Sequence, residues 1–439
     1  MYRIPNGLAL PSSLAQIDAS FMTRLLRARG VIGASQSVVS MEESDVGMTA
    51  GYFSAIKRLK CTYSEATDAP RSFIAKAWPE FEIAPRPHIQ AMFKKDIGGH
   101  LLDAASYFPR PKVYLADYDL ESNCWCLIME DANTFAEHKV HEHDLSFDEV
   151  MRMVPKLAEV AAAWEGCVLG PKADKLDALG VQHWASDENL ALFRMIMPSG
   201  AKLVDKITSM ASSSLIEGPT WDVALGPKFA ELFTEKLEAF FGRTRPEKGA
   251  TTTLCHGDMR GDNIFFCDSS ERHPDGWLAI DYQLMFRGPV PSDLAYLMTS
   301  ATVSPQVFTG QQRQAVKRAF YECFMKKTKH YKDYTWEQFE LEYSVMSTVL
   351  FVYFVGFGAA IWCAGATANQ HPARVELGGQ GAKLEDLAPG ELRKRMWWRK
   401  SFTNFRTSFE ADGLYARLKG LPKNQGAMAE WFELPAHLK

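Results

Sequence analysis

The sequence predicts an α+β chain, strand-rich at the front and helix-rich behind, on three observations. Between residues 55 and 129 the apolar runs are short and rich in β-branched and aromatic residues, over 55–63, 73–78, 112–116 and 124–129. From residue 146 onward apolar residues recur every three or four positions through long stretches, the mark of amphipathic helices. Within that second part, residues 253–280 break the helical period with two short apolar runs around turn-forming residues.

Taken in order, residues 1–35 read as a helical preface, with Leu14, Ile17, Phe21, Leu25 and Leu26 at helical spacing. Gly47 and Gly51 then lead through Ser54 into the alternating run 55–63. Glycine ahead of a strand lets backbone amides approach a phosphate with no Cβ in the way, although a lone Gly-x-x-x-Gly is more often just a turn. The strand 73–78 carries one lysine, Lys76. Facing inward, it needs an anionic partner, because an unpaired buried charge is too costly; on an edge it would only snorkel. Strands 112–116 and 124–129 flank a turn over 117–123. Helices are expected over 146–165 (Val150, Val154, Leu157, Ala158, Ala161 and Trp164 on one face), 229–241, 311–329, 336–353 and 392–418. Pro291-Ser292-Asp293 opens another, with Ser292 or Asp293 as its cap.

The densest chemistry lies in the helix-rich part. An apolar run ending at Cys255 delivers the polar loop His256-Gly257-Asp258-Met259-Arg260-Gly261-Asp262-Asn263, and a second run, 264–267, leaves it. Residues 268–276 are turn chemistry, and 277–280 read as the returning strand of a hairpin that ends at Asp281. Asn263 opens one strand of that hairpin and Asp281 closes the other, so an amide oxygen and a carboxylate fall at the same end with Asp258 on the loop beside them. Hard oxygen donors of this kind suit Mg²⁺, which usually keeps substrate phosphate in its shell.

Asp258, four intervening residues, Asn263 and a later Asp281 is also the spacing of a phosphoryl-transfer loop. With Gly257 where a protein kinase has arginine, and Tyr282-Gln283 where it has Phe-Gly, the string resembles the aminoglycoside phosphotransferase and choline kinase superfamily of small-molecule kinases. The fuller set, 256–266 with 279–283 and 291–295, looks most like its ecdysteroid-kinase-like branch. The resemblance implies a protein-kinase-like two-lobe fold: a nucleotide-binding lobe over 1–133, including the preface 1–35, and a helical lobe over 134–439 with the catalytic loop and acceptor pocket. It implies ATP and Mg²⁺ as cofactors, Asp258 as the catalytic residue, and Asn263 and Asp281 as metal ligands. By the same resemblance Gly47, Gly51 and Ser54 belong to a nucleotide-covering loop, and Lys76 contacts phosphate. The family pairs that lysine with a helix glutamate; the best match here is Asp96, one methylene shorter, so that either the helix sits closer or the pair is looser. Met129, Glu130 and Ala132 fall at the hinge, where backbone groups would meet adenine. The resemblance also gives Asp293 a bracing role beneath the loop. His256 reads as a structural residue, and Arg260 as a partner of phosphate or of Asp262.

Composition narrows the alternatives. The 439 residues are 46% hydrophobic and 23% charged, as in ordinary globular proteins. A net charge of −4, without a long basic run, argues against general nucleic-acid binding. Eight cysteines without metal-ligand spacing read as free thiols in a reducing compartment, and the start of the chain shows no signal-peptide pattern, so a cytoplasmic protein is expected. Residues 343–373 carry no Asp, Glu, Lys or Arg, yet their glycines, hydroxyls and acidic N-terminal flank speak against a membrane span. Their content (Phe351, Tyr353, Phe354, Phe357, Ile361 and Trp362) favours an apolar or aromatic hydroxyl acceptor if this helix lines the pocket. A choline- or aminoglycoside-type kinase and a catalytically silent nucleotide-binding module are the competing readings; a protein kinase is disfavoured by Gly257, Tyr282 and Gln283.

Overall fold

The computed structural model describes residues 2–46, 54–78, 86–122, 124–138, 144–186, 249–300, 308–359 and 411–423, together with 236, 244, 245 and 303; side chains over 350–359 are not described. It comprises two compact units, Met1–His138 with Ile264–Met285, and Lys139–Asn263 with Phe286–Lys439.

The first unit is built on a five-stranded antiparallel sheet: β1 (Val38–Asp45), β2 (Ala55–Tyr63), β3 (Ser72–Ala77), β4 (Val113–Asp119) and β5 (Cys124–Glu130), in the order β1-β2-β3-β5-β4. Its middle strand β3 is buried from Phe73 to Ala77, which is why that run is nearly continuous in apolar residues rather than alternating. Successive side chains serve opposite faces. Phe73 and Ala75 pack with Phe21, Met22, Leu25 and Leu26 of helix α1 (Ala19–Ala28), which Asp18 caps by accepting from the Phe21 amide at 2.6 Å. Ile74 packs on the other face with Ile89, Phe93 and Ile97 of α2 (Arg86–Leu101). Lys76, two residues on, shares that second face. The preface is shorter as a helix than its apolar spacing suggests: Leu14 lies in a 3-10 turn, Leu14–Gln16, and the helix begins only at Ala19. A short hairpin, Ile264–Phe266 with Trp277–Ala279, completes the unit, and the Ala279 amide donates to the Pro109 carbonyl at 2.8 Å.

The second unit is mainly helical. Helix α3 (Phe147–Ala163) opens with a capping box between Ser146 and Glu149 and buries Val150, Val154, Leu157, Ala158 and Ala161, the face read from sequence. After α4 (Pro171–Ala178), a two-stranded antiparallel ladder pairs Thr253–Cys255 with Phe286–Gly288. Helix α5 (Ser292–Thr299) is buried throughout, α6 (Gly310–Lys327) packs on α3, α7 (Trp336–Ala359) packs on α5, and α8 (Leu414–Gly420) follows. Glu342 of α7 accepts from the Thr251 amide at 2.9 Å and from the Tyr334 hydroxyl at 2.7 Å, holding the root of the strand that enters the polar loop. Just before α8, buried Asp412 meets Arg313 at 2.7 Å and Lys317 at 3.6 Å.

The expected helix over 229–241, most of that over 392–418, and the aromatic residues from Phe351 to Trp362 lie outside the described residues or side chains. Among the described residues no helix is long and apolar enough to cross a membrane, and the cysteines are free thiols.

Candidate active site

In the first unit the sheet and α2 bring together three of the residues singled out from sequence. The Lys76 ammonium lies 3.3 Å from Asp96 Oδ2 and 3.5 Å from Asp281 Oδ1. Burial alone would lower its pKa, but the carboxylates of Asp281 and Asp96 lift it to about 12, so the lysine stays charged although its residue is only 5% exposed. Asp96 is also tied on its other oxygen. Oδ1 accepts from the Tyr282 amide at 3.0 Å, and His100, one helical turn on, stands 3.7 Å away. Burial would raise the Asp96 pKa; Lys76, His100 and the Tyr282 amide together hold it below the ordinary carboxylate range. Asp281 does not end a strand. It sits after the hairpin in a left-handed conformation, φ 69° and ψ 71°, immediately before the 3-10 turn Tyr282–Leu284. It is the one non-glycine with positive φ among the described residues. Its second oxygen accepts from Gln283 Nε2 at 3.2 Å.

Of the other first-unit residues, Gly47 and Gly51 lie outside the described residues, while Ser54 immediately precedes β2 and is half-buried. Met129 and Glu130 end β5 with buried side chains, and Ala132, also buried, opens a 3-10 turn, Ala132–Thr134, whose other two residues are exposed. Glu130 is engaged by Arg272 and by the Lys112 amide at 3.4 Å. Between them Asp131 accepts from Arg58 Nε and Ser72 Oγ, each at 2.7 Å, which fixes the exit of β5 against β2 and β3. Any adenine contact there would therefore fall to backbone groups.

In the second unit the polar loop folds on itself around Asp258, which is 4% exposed. Asn263 Nδ2 donates to Asp258 Oδ2 and to the Asp258 carbonyl, both at 2.9 Å. The amide nitrogen of Asn263 is thereby spent on the loop, and its carbonyl oxygen is the end that suits a cation. The Asp258 amide donates to His256 Nδ1 at 3.3 Å, the structural role expected of that histidine. Arg260 lies between the two acidic residues, Nε 3.3 Å from Asp258 Oδ1 and NH1 3.7 Å from Asp262 Oδ2.

Helix α5 holds this loop from below. Neither Ser292 nor Asp293 caps it: Pro291 occupies the N-cap, and the Ser292 hydroxyl donates to the Pro289 carbonyl at 2.6 Å. The Asp293 carboxylate instead accepts from the amides of His256 at 2.8 Å and Gly257 at 3.0 Å. A loop that turns at Gly257, φ 83°, exposes two amides at once, and they outcompete the helix's own first turn for the carboxylate. Burial pushes the Asp293 pKa up to about 6 despite these two bonds. One helical turn further, the Tyr296 hydroxyl donates to Asp258 Oδ1 at 2.7 Å. Sequence reading missed Tyr296, and the signal was its spacing: three residues after Asp293 lies on the same helix face.

A family model described as the ecdysteroid kinase-like family matches residues 49–333. No curated protein matches the chain. Among solved structures, the GDP complex of wild-type aminoglycoside 2'-phosphotransferase-IIIa is similar at 12% identity, over 89% of this chain and 100% of that one, with a TM-score of 0.42. Choline kinase LicA from Streptococcus pneumoniae is similar at 13% identity, over 82% and 93% of the two chains, with a TM-score of 0.36. Amicoumacin kinase hAmiN, in complex with AMP-PNP, Ca²⁺ and Ami, is similar at 13% identity over 83% and 87%, with a TM-score of 0.40.

Proposed function

We propose, from the premise that the chain belongs to the ecdysteroid kinase-like family, that it is an ATP-dependent phosphotransferase acting on a hydroxyl group of a small-molecule metabolite. The observation that carries this reading is Lys76, buried yet kept charged between Asp96 and Asp281. Such an ammonium, held in a strand by two carboxylates, is suited to meet phosphate oxygens.

Phosphoryl transfer asks the protein for positioning and charge neutralisation rather than covalent chemistry. Asp258 takes the proton of the acceptor hydroxyl as that oxygen attacks the γ-phosphorus and ADP departs. Tyr296 and Asn263 aim its carboxylate from two sides. Asn263, through its amide oxygen, and Asp281, through its carboxylate, are the hard donors that would hold Mg²⁺, which when bound neutralises phosphate charge. Lys76 fixes the phosphates, the Gly47, Gly51 and Ser54 segment covers them, and backbone groups from Met129 to Ala132 receive the adenine. The absence of any acidic residue over 343–373 supports an apolar or aromatic alcohol over a polycationic acceptor. The free thiols favour a reducing, cytoplasmic setting.

Incubating the full chain with Mg-ATP and a panel of alcohols, and reading ADP release with mass gain of one phosphate, tests this directly. An apolar or aromatic alcohol is expected to be phosphorylated in preference to kanamycin-like polycations; the reverse preference overturns the acceptor assignment. Absence of Mg-ATP binding by calorimetry sinks the kinase reading, and binding without turnover on any acceptor identifies a silent module. Asp258→Ala should cut turnover by about 10²–10⁴-fold while Mg-ATP binding persists.

A further inference from the structure

A glycine in the interior of a helix ordinarily costs stability, about 1 kcal/mol against alanine. Helix α2 nevertheless carries Gly99 in its last turn, on the side that meets Tyr282. A Cβ built on Gly99 would fall 2.4 Å from Tyr282 Cβ, 2.5 Å from Cγ and 2.9 Å from Cδ2. These are atoms at the root of the tyrosine side chain, not at a flexible tip.

Tyr282 has no room to give way. It is fully buried, and its hydroxyl donates to the Ala279 carbonyl at 3.0 Å. Its ring stands edge-on to His100, with centroids 4.9 Å apart, and tilted against Tyr107 at 5.3 Å. Any side chain at position 99 would therefore force α2 away from residues 281–283, by about 1 Å if ordinary packing distances are to be restored. Asp96 cannot follow such a retreat. Both of its oxygens are already committed, one at 3.0 Å to the Tyr282 amide and the other at 3.3 Å to Lys76, and a further ~1 Å would carry both contacts out of hydrogen-bond range. A glutamate would regain the distance, since one methylene adds ~1.3 Å of reach.

We propose that Gly99 is a positioning residue that sets the docking distance of α2 on Tyr282, and that this close approach is what allows an aspartate, Asp96, to hold both Lys76 and the Asp281-Tyr282 turn. The functional consequence rests on the nucleotide reading above; the geometry does not. Residue 99 and residue 96 are then matched in length: glycine with aspartate, or a larger residue with glutamate. Two single changes each break the match, and together they restore it.

The test is a double-mutant cycle on the full chain with Gly99→Ala, Asp96→Glu and the pair, read by Mg-ATP calorimetry and by urea unfolding. Each single variant should weaken Mg-ATP binding about 10-fold, and the double variant should return to within about 3-fold of the parent. The unfolding midpoint of the double should likewise lie above that of Gly99→Ala. A residue that merely fills space would give additive losses in both readouts, and additive losses overturn the proposal. So does an Asp96→Glu variant with parental affinity, which decides the matter even if Gly99→Ala does not fold. If the parent itself binds no Mg-ATP, the nucleotide reading fails, and the unfolding cycle alone still confirms or refutes the length matching.

Discussion

Asp96 in the first unit and Asp293 in the second are both buried aspartates that accept backbone amides of a tight turn, yet burial acts on them with opposite results. Asp96 has Lys76 at 3.3 Å and His100 at 3.7 Å, and its pKa is held below the ordinary range. Among the described residues Asp293 has only the two amides of His256 and Gly257, and its pKa is pushed up to about 6. Amide dipoles orient a carboxylate but do not neutralise it; a nearby cation does. One turn is thus held by charge balance, and the other by a carboxylate that carries its desolvation without a counter-charge.

The largest expected effect comes from removing the cation. Lys76→Met leaves Asp96 buried without its ammonium and should cost about 3–5 kcal/mol in urea unfolding at neutral pH. The variant should also acquire a pH dependence of Asp293's sign, becoming relatively more stable as Asp96 takes up a proton. A Lys76→Met protein as stable as the parent at pH 7 would mean that the ion pair does not hold the turn.

Asp293→Asn should act through pH with a smaller magnitude. The folded pKa of Asp293, about 6, lies above its ordinary value of 3.8, so the folded chain binds this proton more tightly than the unfolded one. Its stabilising contribution is therefore complete below pH 3.8 and is lost as pH rises to about 6. Asp96 has the reverse sign, its contribution being lost as pH falls below the ordinary carboxylate range. Asp293→Asn should flatten the stability profile across pH 4–6 by about 2–3 kcal/mol, an order-of-magnitude figure. The slope due to Glu342, likewise raised by burial to about 7, should remain. Denaturation midpoints at half-unit pH steps for parent and variant check this; parallel profiles would refute it.

The smallest effect is expected from Tyr296→Phe, which removes the hydroxyl's hydrogen bond to the Asp258 carboxylate. About 1.5 kcal/mol, or roughly a 10-fold fall in kcat with KM for ATP unchanged, is the expected result. A much larger loss would show that Tyr296 does more than aim the carboxylate.

Residues whose burial repeats along the chain were legible in the sequence. Strands β2 to β5 announced themselves by apolar runs of strand length, and α3 by its one apolar face. Strand β1 did not, because only its first residue is buried and its charged residues Glu42, Glu43 and Asp45 are those of a solvated edge. The loop from His256 to Asn263 was legible because its chemistry is local in sequence. Partners chosen by tertiary structure were not. Asp293 looked like a helix cap, since no local pattern tells a carboxylate that two amides of a distant turn will bind it. Gly99 carries no local signal of its role, because the neighbour that needs its missing Cβ, Tyr282, lies far along the chain.

The left-handed backbone at Asp281 bears on how its role can be probed at all. Outside glycine this conformation is tolerated best by Asp and Asn, and costs other residues on the order of 1–2 kcal/mol. Alanine scanning at this position therefore mixes two losses, the carboxylate and the comfort of the main chain, and an inactive Asp281→Ala protein would not say which mattered. Asparagine keeps the conformation and removes the charge; glycine keeps the conformation and removes the side chain. Melting curves should rank asparagine and glycine above alanine, while all three lose metal-dependent nucleotide binding.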